Sequence, residues 1–210
     1  METKAISPVI TKQQVIERIN TMWNETQRPL LVGVSGLGAS GKSTLAEQLH
    51  REIAGSCLVE VDDFYRTEKD RAGEHRSEAI ISNKFNWDHL DSRVFGALAG
   101  KRDIHYQRCR REIGVEDTWV FHPVEKVIIL EGIYLFQNKF IDKFDFRIWV
   151  ETPHDVRLRR GIARDELTRD GDREVARISW ETIWMPQDQR YFDHERPDLR
   201  ADAIIYGIYI

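Results

Sequence analysis

The 210-residue sequence is poor in several things that would have set its class. It has two cysteines, Cys57 and Cys109, with no metal-ligand spacing between them. That argues against a disulfide framework or a cysteine-built zinc site, and suggests a reducing compartment in which both thiols are structural. No apolar run approaches the roughly 20 residues that a membrane-spanning helix needs. The opening residues, METKAISPVITKQQ, lack the apolar stretch of a signal peptide or membrane anchor. The expected location is therefore the cytoplasm, with no membrane partner. Positive charge is not in excess: 31 Lys and Arg stand against 35 Asp and Glu, a net charge of −4. A nucleic-acid partner would need a basic footprint, so none is expected. A small anion can still be held by local cations, because net charge does not report on local fields. There is no internal repeat, low-complexity segment or linker, and the length suits one domain with a full core.

What is present is an alternation of short apolar strands and helices. Thr11 can cap a helix through VIERINTMWNE, where Val15, Ile16, Ile19, Met22 and Trp23 share a face. PLLVGVSG reads as a buried strand that ends in glycines, followed by a helix from Lys42 to about Ile53. CLVEVDDFY is a second strand ending in two carboxylates. The charged stretch from Arg66 to Asn86 reads as loop or short helix. DHLDSRVFGALAG is a helix with a glycine stop, and DIHYQRCRREIGVEDTWVFHP alternates as a β-ribbon. KVIILEG and FDFRIWVET are further strands. Pro153 opens an arginine-rich helix through Asp165, RDGD breaks the pattern, a long helix runs from about Arg173 to Phe192, and ADAIIYGIYI is a last strand. This order predicts an α/β fold with a mainly parallel sheet and helices on both faces.

GLGASGKS, from Gly36 to Ser43, matches G-x-x-x-x-G-K-[ST] in full, with an apolar strand before it and a helix after it. Small residues let the backbone N–H groups of Gly36, Leu37, Gly38, Ala39, Ser40, Gly41, Lys42, Ser43 and Thr44 converge on phosphate oxygens. Lys42 carries positive charge to the β/γ-phosphates, the Ser43 hydroxyl suits a magnesium ion, and the helix start adds its dipole. The ligands predicted are ATP and Mg2+. The fold expected is a P-loop NTPase three-layer sandwich over residues 1–210, with a ribbon insertion near 100–122 and an arginine-rich lid near 154–175.

A P-loop kinase also needs a carboxylate for magnesium and one for the attacking hydroxyl. Glu131 ends KVIILEG, and Asp62 and Asp63 end VEVDDFY, so all three would meet at the carboxyl edge of the sheet, where ligands bind. One of the aspartates is expected to serve only the turn, and Asp63 is the better candidate. In RLRRGIARD, Arg160 and Arg164 share a helix face, and Arg169 follows. A mobile lid of this kind would neutralise phosphoryl charge and exclude water. Arg157 and Arg159 read equally well as a solvated face paired with nearby acids.

Together GLGASGKST, VDDFYR, FNWDHLD, VIILEGI, RLRRGIARD and ADAII resemble the uridine kinase family, within the group that includes phosphoribulokinase and pantothenate kinase. The resemblance implies a kinase for a small hydroxyl-bearing molecule. Asp62 looks like the general base for a sugar 5′-hydroxyl and Tyr65 like a nucleoside contact. Asp88 resembles the acid that holds ribose hydroxyls, and Tyr106 fits the family's base-reading ribbon. Ser43, Asp62 and Glu131 would surround magnesium, while Arg164 and Arg169 look like phosphate-contacting lid arginines. Some positions depart from the pattern. Leu90 stands where the family has proline, and Gly161 where a lid arginine is expected. In HYQRCRR, Gln107, Arg108 and Arg111 take the aspartate, phenylalanine and histidine places. Kinase chemistry is thus better supported than uridine, and nicotinamide riboside, pantothenate or another sugar-like alcohol stays open. A GTPase is disfavoured, because NKFN at Asn83 and NKFI at Asn138 lack the aspartate of N-K-x-D. A non-catalytic nucleotide-binding protein also stays open, as does a homo-oligomer, since six tryptophans and the apolar IIYGIYI suit either a core or a subunit interface.

Overall fold

The computed structural model describes residues 7–71, 84–109, 114–168 and 171–210. Five strands form one sheet in the order β2-β5-β1-β6-β7, and every pairing is parallel. They are β1 (Leu30–Gly36), β2 (Ser56–Glu60), β5 (Val127–Gly132), β6 (Phe146–Glu151) and β7 (Ala203–Tyr206). β1 and β5 are buried at every residue, as parallel strands covered on both faces must be. Successive side chains point to opposite faces, and the core divides accordingly. Leu31, Ile128, Leu130 and Trp149 join one apolar cluster, while Leu30, Val32, Ile129 and Ile148 join the other. Helices α1 (Lys12–Thr26) and α2 (Lys42–Glu52) supply the second cluster, through Val15, Ile16, Ile19, Leu45 and Leu49. Thr11 caps α1, as expected, and the structure shows that it does so in a reciprocal capping box with Gln14.

The other face is covered by a helical run made of α4 (Trp87–Leu90), π turns over Asp91–Phe95 and α5 (Gly96–Ala99). It does not end with a left-handed glycine: Gly100 has φ −86° and Lys101 takes the positive φ of 51°. A short α3 (Glu68–Arg71) lies before it. Most of the expected Arg66–Asn86 loop, and Arg110, Arg111 and Arg169, lie outside the described residues. The ribbon pairs β3 (Ile104–Cys109) with β4 (Glu116–His122) antiparallel. Both cysteines are buried thiols outside any disulfide, and burial pushes the Cys57 thiol up to about 12, so it is inert.

After β6 come α6 (His154–Thr168), α7 (Arg173–Ser179), π turns over Trp180–Trp184 and α8 (Met185–Glu195). The π turns fall just before Pro186. Proline removes a backbone donor and crowds the preceding turn, and wider turns let the helix run on past it. Among the described residues no helix is long and apolar enough to cross a membrane.

Candidate active site

The chain leaves β1 through the phosphate loop at the carboxyl edge of the sheet, with β5 on one side of β1 and β6 on the other. That is the switch point at which open α/β sheets bind ligands. Ala39 (φ 59°) and Gly41 (φ 97°) adopt left-handed backbone, the conformation that turns consecutive N–H groups toward one concavity. The loop is pinned from behind: the buried Thr152 hydroxyl donates to the Ser40 carbonyl at 2.8 Å. Gly36, Leu37 and Ser40 are buried within it.

Two cavities flank the loop. The first, about 480 Å³, is lined by Gly38, Ala39 and Lys42, by Glu60, Asp62, Asp63 and Tyr65 at the end of β2 and the turn after it, and by Lys84, Phe85 and Arg108. Tyr134, Arg164, Trp180, Trp184 and Asp188 close its far wall. The second, about 450 Å³, lies against Gly41, Ser43, Thr44, Arg160 and Gly207. Ala39, Lys42 and Arg164 line both.

Glu131 contacts the two motif side chains, Lys42 and Ser43. Its carboxylate accepts from the Ser43 hydroxyl at 3.1 Å and lies 3.7 Å from Lys42 Nζ. Burial raises its carboxyl from 4.5 to about 7; Lys42 opposes the rise and Asp62 adds to it. A hydroxyl and carboxylates beside a phosphate loop form the all-oxygen donor set that suits Mg2+.

β2 stops at Glu60, one turn earlier than the strand the sequence implies, and Val61–Asp63 forms a 3₁₀ turn. The turn separates the aspartates. Asp62 is exposed to the cleft, whereas Asp63 points inward, accepts from the buried Tyr106 hydroxyl at 2.7 Å and pairs with Arg108 at 2.5 Å. Asp63 is structural, as expected, but it anchors the ribbon instead of merely serving a turn.

Two expected acceptor contacts do not reach the cleft. Tyr106 is buried in the core with its hydroxyl committed to Asp63, so the cleft wall takes Arg108 from the same strand instead. Asp88 is outside the lining residues; its side chain is 93% exposed and held by Lys139 at 2.8 Å. Tyr65 does line the cleft, against Phe85 at 4.6 Å between ring centres.

The arginines separate as well. Arg159 is a solvated i,i+4 partner of Asp155. Arg157 is buried and pairs with Asp188 at 3.0 Å. Arg164 lies over the Trp180 ring, beside Asp165. Trp180 was not singled out by any sequence spacing, nor were Glu60, Lys84, Trp184 and Asp188. Glu60 stands opposite Glu131 in the β2–β5 register, a pairing that only the folded sheet reveals.

Gly161 has a packing reason. A Cβ there would lie 2.3 Å from the Trp180 indole, whose Nε1–H is tied to Asp165 at 3.0 Å. Gly→Ala inside a helix ordinarily stabilises by up to about 1 kcal/mol. Gly161→Ala is expected to reverse that sign and destabilise by about 2 kcal/mol from overpacking, lowering the thermal midpoint by about 4–8 °C. Thermal unfolding at fixed pH checks it; an unchanged or raised midpoint would show that Trp180 can move aside.

A family profile described as the phosphoribulokinase / uridine kinase family matches residues 31–206. A uridine kinase from Clostridium perfringens is 30% identical over 148 residues, 66% of this chain and 69% of that one. A uridine kinase from Halobacterium salinarum is 28% identical over 179 residues, covering 83% and 78%. Among solved structures, a Silicibacter protein described as a candidate fructose transport system kinase superposes with a TM-score of 0.75 at 22% identity, over 93% of this chain and 98% of that one. A Bacillus stearothermophilus protein described as a candidate uridine kinase gives 0.64 at 18%, over 91% and 99%. These structural likenesses are of fold.

Proposed function

The chain belongs to the phosphoribulokinase/uridine kinase family and is a phosphotransferase of the uridine kinase kind; from that premise we propose that it moves the γ-phosphoryl group of Mg-ATP to the 5′-hydroxyl of a nucleoside such as uridine or cytidine. The observation that carries the reading is one cleft bounded by Lys42, Asp62 and Arg164 and walled by Tyr65, Phe85, Tyr134 and Trp184. Aromatic faces suit the flat ring and sugar of a nucleoside.

In this reading ATP lies along the loop, its phosphates held by backbone N–H groups and Lys42. Asp62 accepts the proton of the acceptor hydroxyl as its oxygen attacks, and ADP departs. Lys42 and Arg164 stabilise the charge that spreads over the phosphoryl oxygens. Ser43, Glu131 and Asp62 are the groups that would hold Mg2+, which when bound neutralises charge on the β- and γ-oxygens. The helix α6 and Trp180 exclude water from the reacting group.

A second reading, an alcohol other than a nucleoside, draws on Arg108 at the cleft wall and on Asp88 and Tyr106 outside it. ADP release from Mg-ATP across uridine, cytidine, other nucleosides, nicotinamide riboside and pantothenate tests both. Stimulation by uridine or cytidine sustains the first reading, and stimulation only by another acceptor replaces it with the second. ATP binding with no stimulated release favours a non-catalytic protein.

Glu131 makes nucleotide binding pH-dependent. Its carboxyl is raised to about 7 by burial, and a metal ligand must be ionised. Mg-ATP affinity should therefore weaken about tenfold per pH unit below 7 and level off above it, with about one proton released on binding at low pH. Calorimetry in buffers of different ionisation enthalpy measures that proton. Glu131→Gln should abolish its release; persistence would assign the proton elsewhere.

A further inference from the structure

One heavily engaged carboxylate beside the phosphate loop belongs to a residue that the mechanism above does not use. Asp188, on α8, is 2% exposed and accepts from three donors on three other segments. Gly38 N–H of the phosphate loop reaches its Oδ2 at 2.8 Å, Arg157 of α6 reaches the same oxygen at 3.0 Å, and the Tyr134 hydroxyl reaches Oδ1 at 3.1 Å. Tyr134 follows β5 and holds a left-handed backbone (φ 60°), which a tyrosine keeps only when its surroundings fix it. Resting on the kinase reading, we propose that Asp188 is a positioning residue: it locks the first turn of the phosphate loop to the arginine helix, so that the loop and Arg164 meet the γ-phosphoryl group in register.

Three observations support this. Space at Gly38 is tight, because a Cβ would lie 3.0 Å from Trp180 and 3.1 Å from the Asp188 carboxylate, so the loop is in direct contact with the helical segment that carries those two residues. Gly38 lines the cleft that holds Asp62 but not the second cavity, which places its turn on the acceptor side of the loop, where the γ-phosphoryl group must pass. Arg164 lies two helical turns beyond Arg157 on α6 and lines both cavities, so fixing Arg157 fixes where Arg164 arrives. A buried Asp–Arg pair is seldom better for stability than an apolar pair of equal size. What it adds is direction: one carboxylate holds a backbone N–H, a guanidinium and a phenol in a single geometry.

The test compares ATP with ADP, because a loosened fold would weaken both alike, whereas a displaced loop turn and Arg164 affect the γ-phosphate alone. Mg-ADP and Mg-ATP affinities, and turnover with the best acceptor of the panel, are measured for Asp188→Asn well below its unfolding midpoint. The expected result is ADP affinity within about twofold of the parent, ATP affinity about tenfold weaker and kcat about 10–100-fold lower. Arg157→Lys should retain more ATP preference than Arg157→Met. If Asp188→Asn does not fold, Tyr134→Phe, which deletes one donor, carries the test with a smaller loss in the same direction. Equal shifts for ADP and ATP, or no shift in either, overturn the proposal. A parent protein that binds ATP but transfers to no acceptor defeats the kinase reading, and the ATP-to-ADP ratio still decides the role of Asp188.

Discussion

Asp62→Asn is expected to lower kcat by about 10³-fold while the protein still binds ATP. General-base catalysis contributes roughly 10²–10⁴ in rate. Asparagine keeps the size of the side chain and can accept a hydrogen bond, but it cannot take up a proton at neutral pH. Asp62 is the exposed aspartate of the VDD turn, and no other carboxyl of that turn stands ready to replace it: Asp63 lines the same cleft but is buried and committed to Tyr106 and Arg108. Single-turnover transfer and ATP binding, measured on one preparation, separate the two effects. A magnesium titration then divides the role further: a defect that high magnesium repairs belongs to ion binding, and one that it leaves belongs to proton removal. Wild-type turnover in the variant would remove Asp62 as the base.

Lys42→Ala is expected to lower kcat by about 10²–10³-fold or more and to weaken ATP binding as well, because the ammonium charge acts on phosphate oxygens both before and during transfer. The same lysine is the cation beside Glu131, 3.7 Å away in a buried site. Removing it leaves that carboxylate without its opposing charge, and its carboxyl rises further above about 7. Glu131 then takes up a proton instead of remaining as an unpaired buried charge, so thermal stability at neutral pH should change little. The pH below which Mg-ATP affinity falls should move upward. Kinetics, thermal unfolding and a pH series of binding together check this. A large loss of stability with an unmoved pH dependence would show that Glu131 does not sense Lys42.

Local residues made much of the fold legible. Thr11 marked the start of α1, the unbroken apolar run Val127–Leu130 marked a central strand, and Pro153 preceded α6. Each is a near-neighbour effect, written in consecutive residues. The turn after β2 was less legible. Asp62 and Asp63 are chemically identical, and what divides them is a 3₁₀ turn that leaves one exposed and buries the other against Tyr106, 43 residues away in sequence. The outward position of Asp88 and the inward one of Tyr106 have the same origin, since their partners are Lys139 and Asp63. Gly161 reads in the sequence as a missing arginine. In the structure it is the space that Trp180 occupies.

The sequence by itself determined the parallel α/β class, the phosphate loop from Gly36 to Thr44, and the presence of acids at the ends of two neighbouring strands, because strand period, glycine spacing and helix starts are local properties of a chain. Only the tertiary structure decided which acid faces the cleft, which arginine is buried, and that Asp188 grips the loop at Gly38, 150 residues away. Those outcomes depend on contacts between segments remote in sequence, where packing and desolvation select one partner among many of the same chemical type.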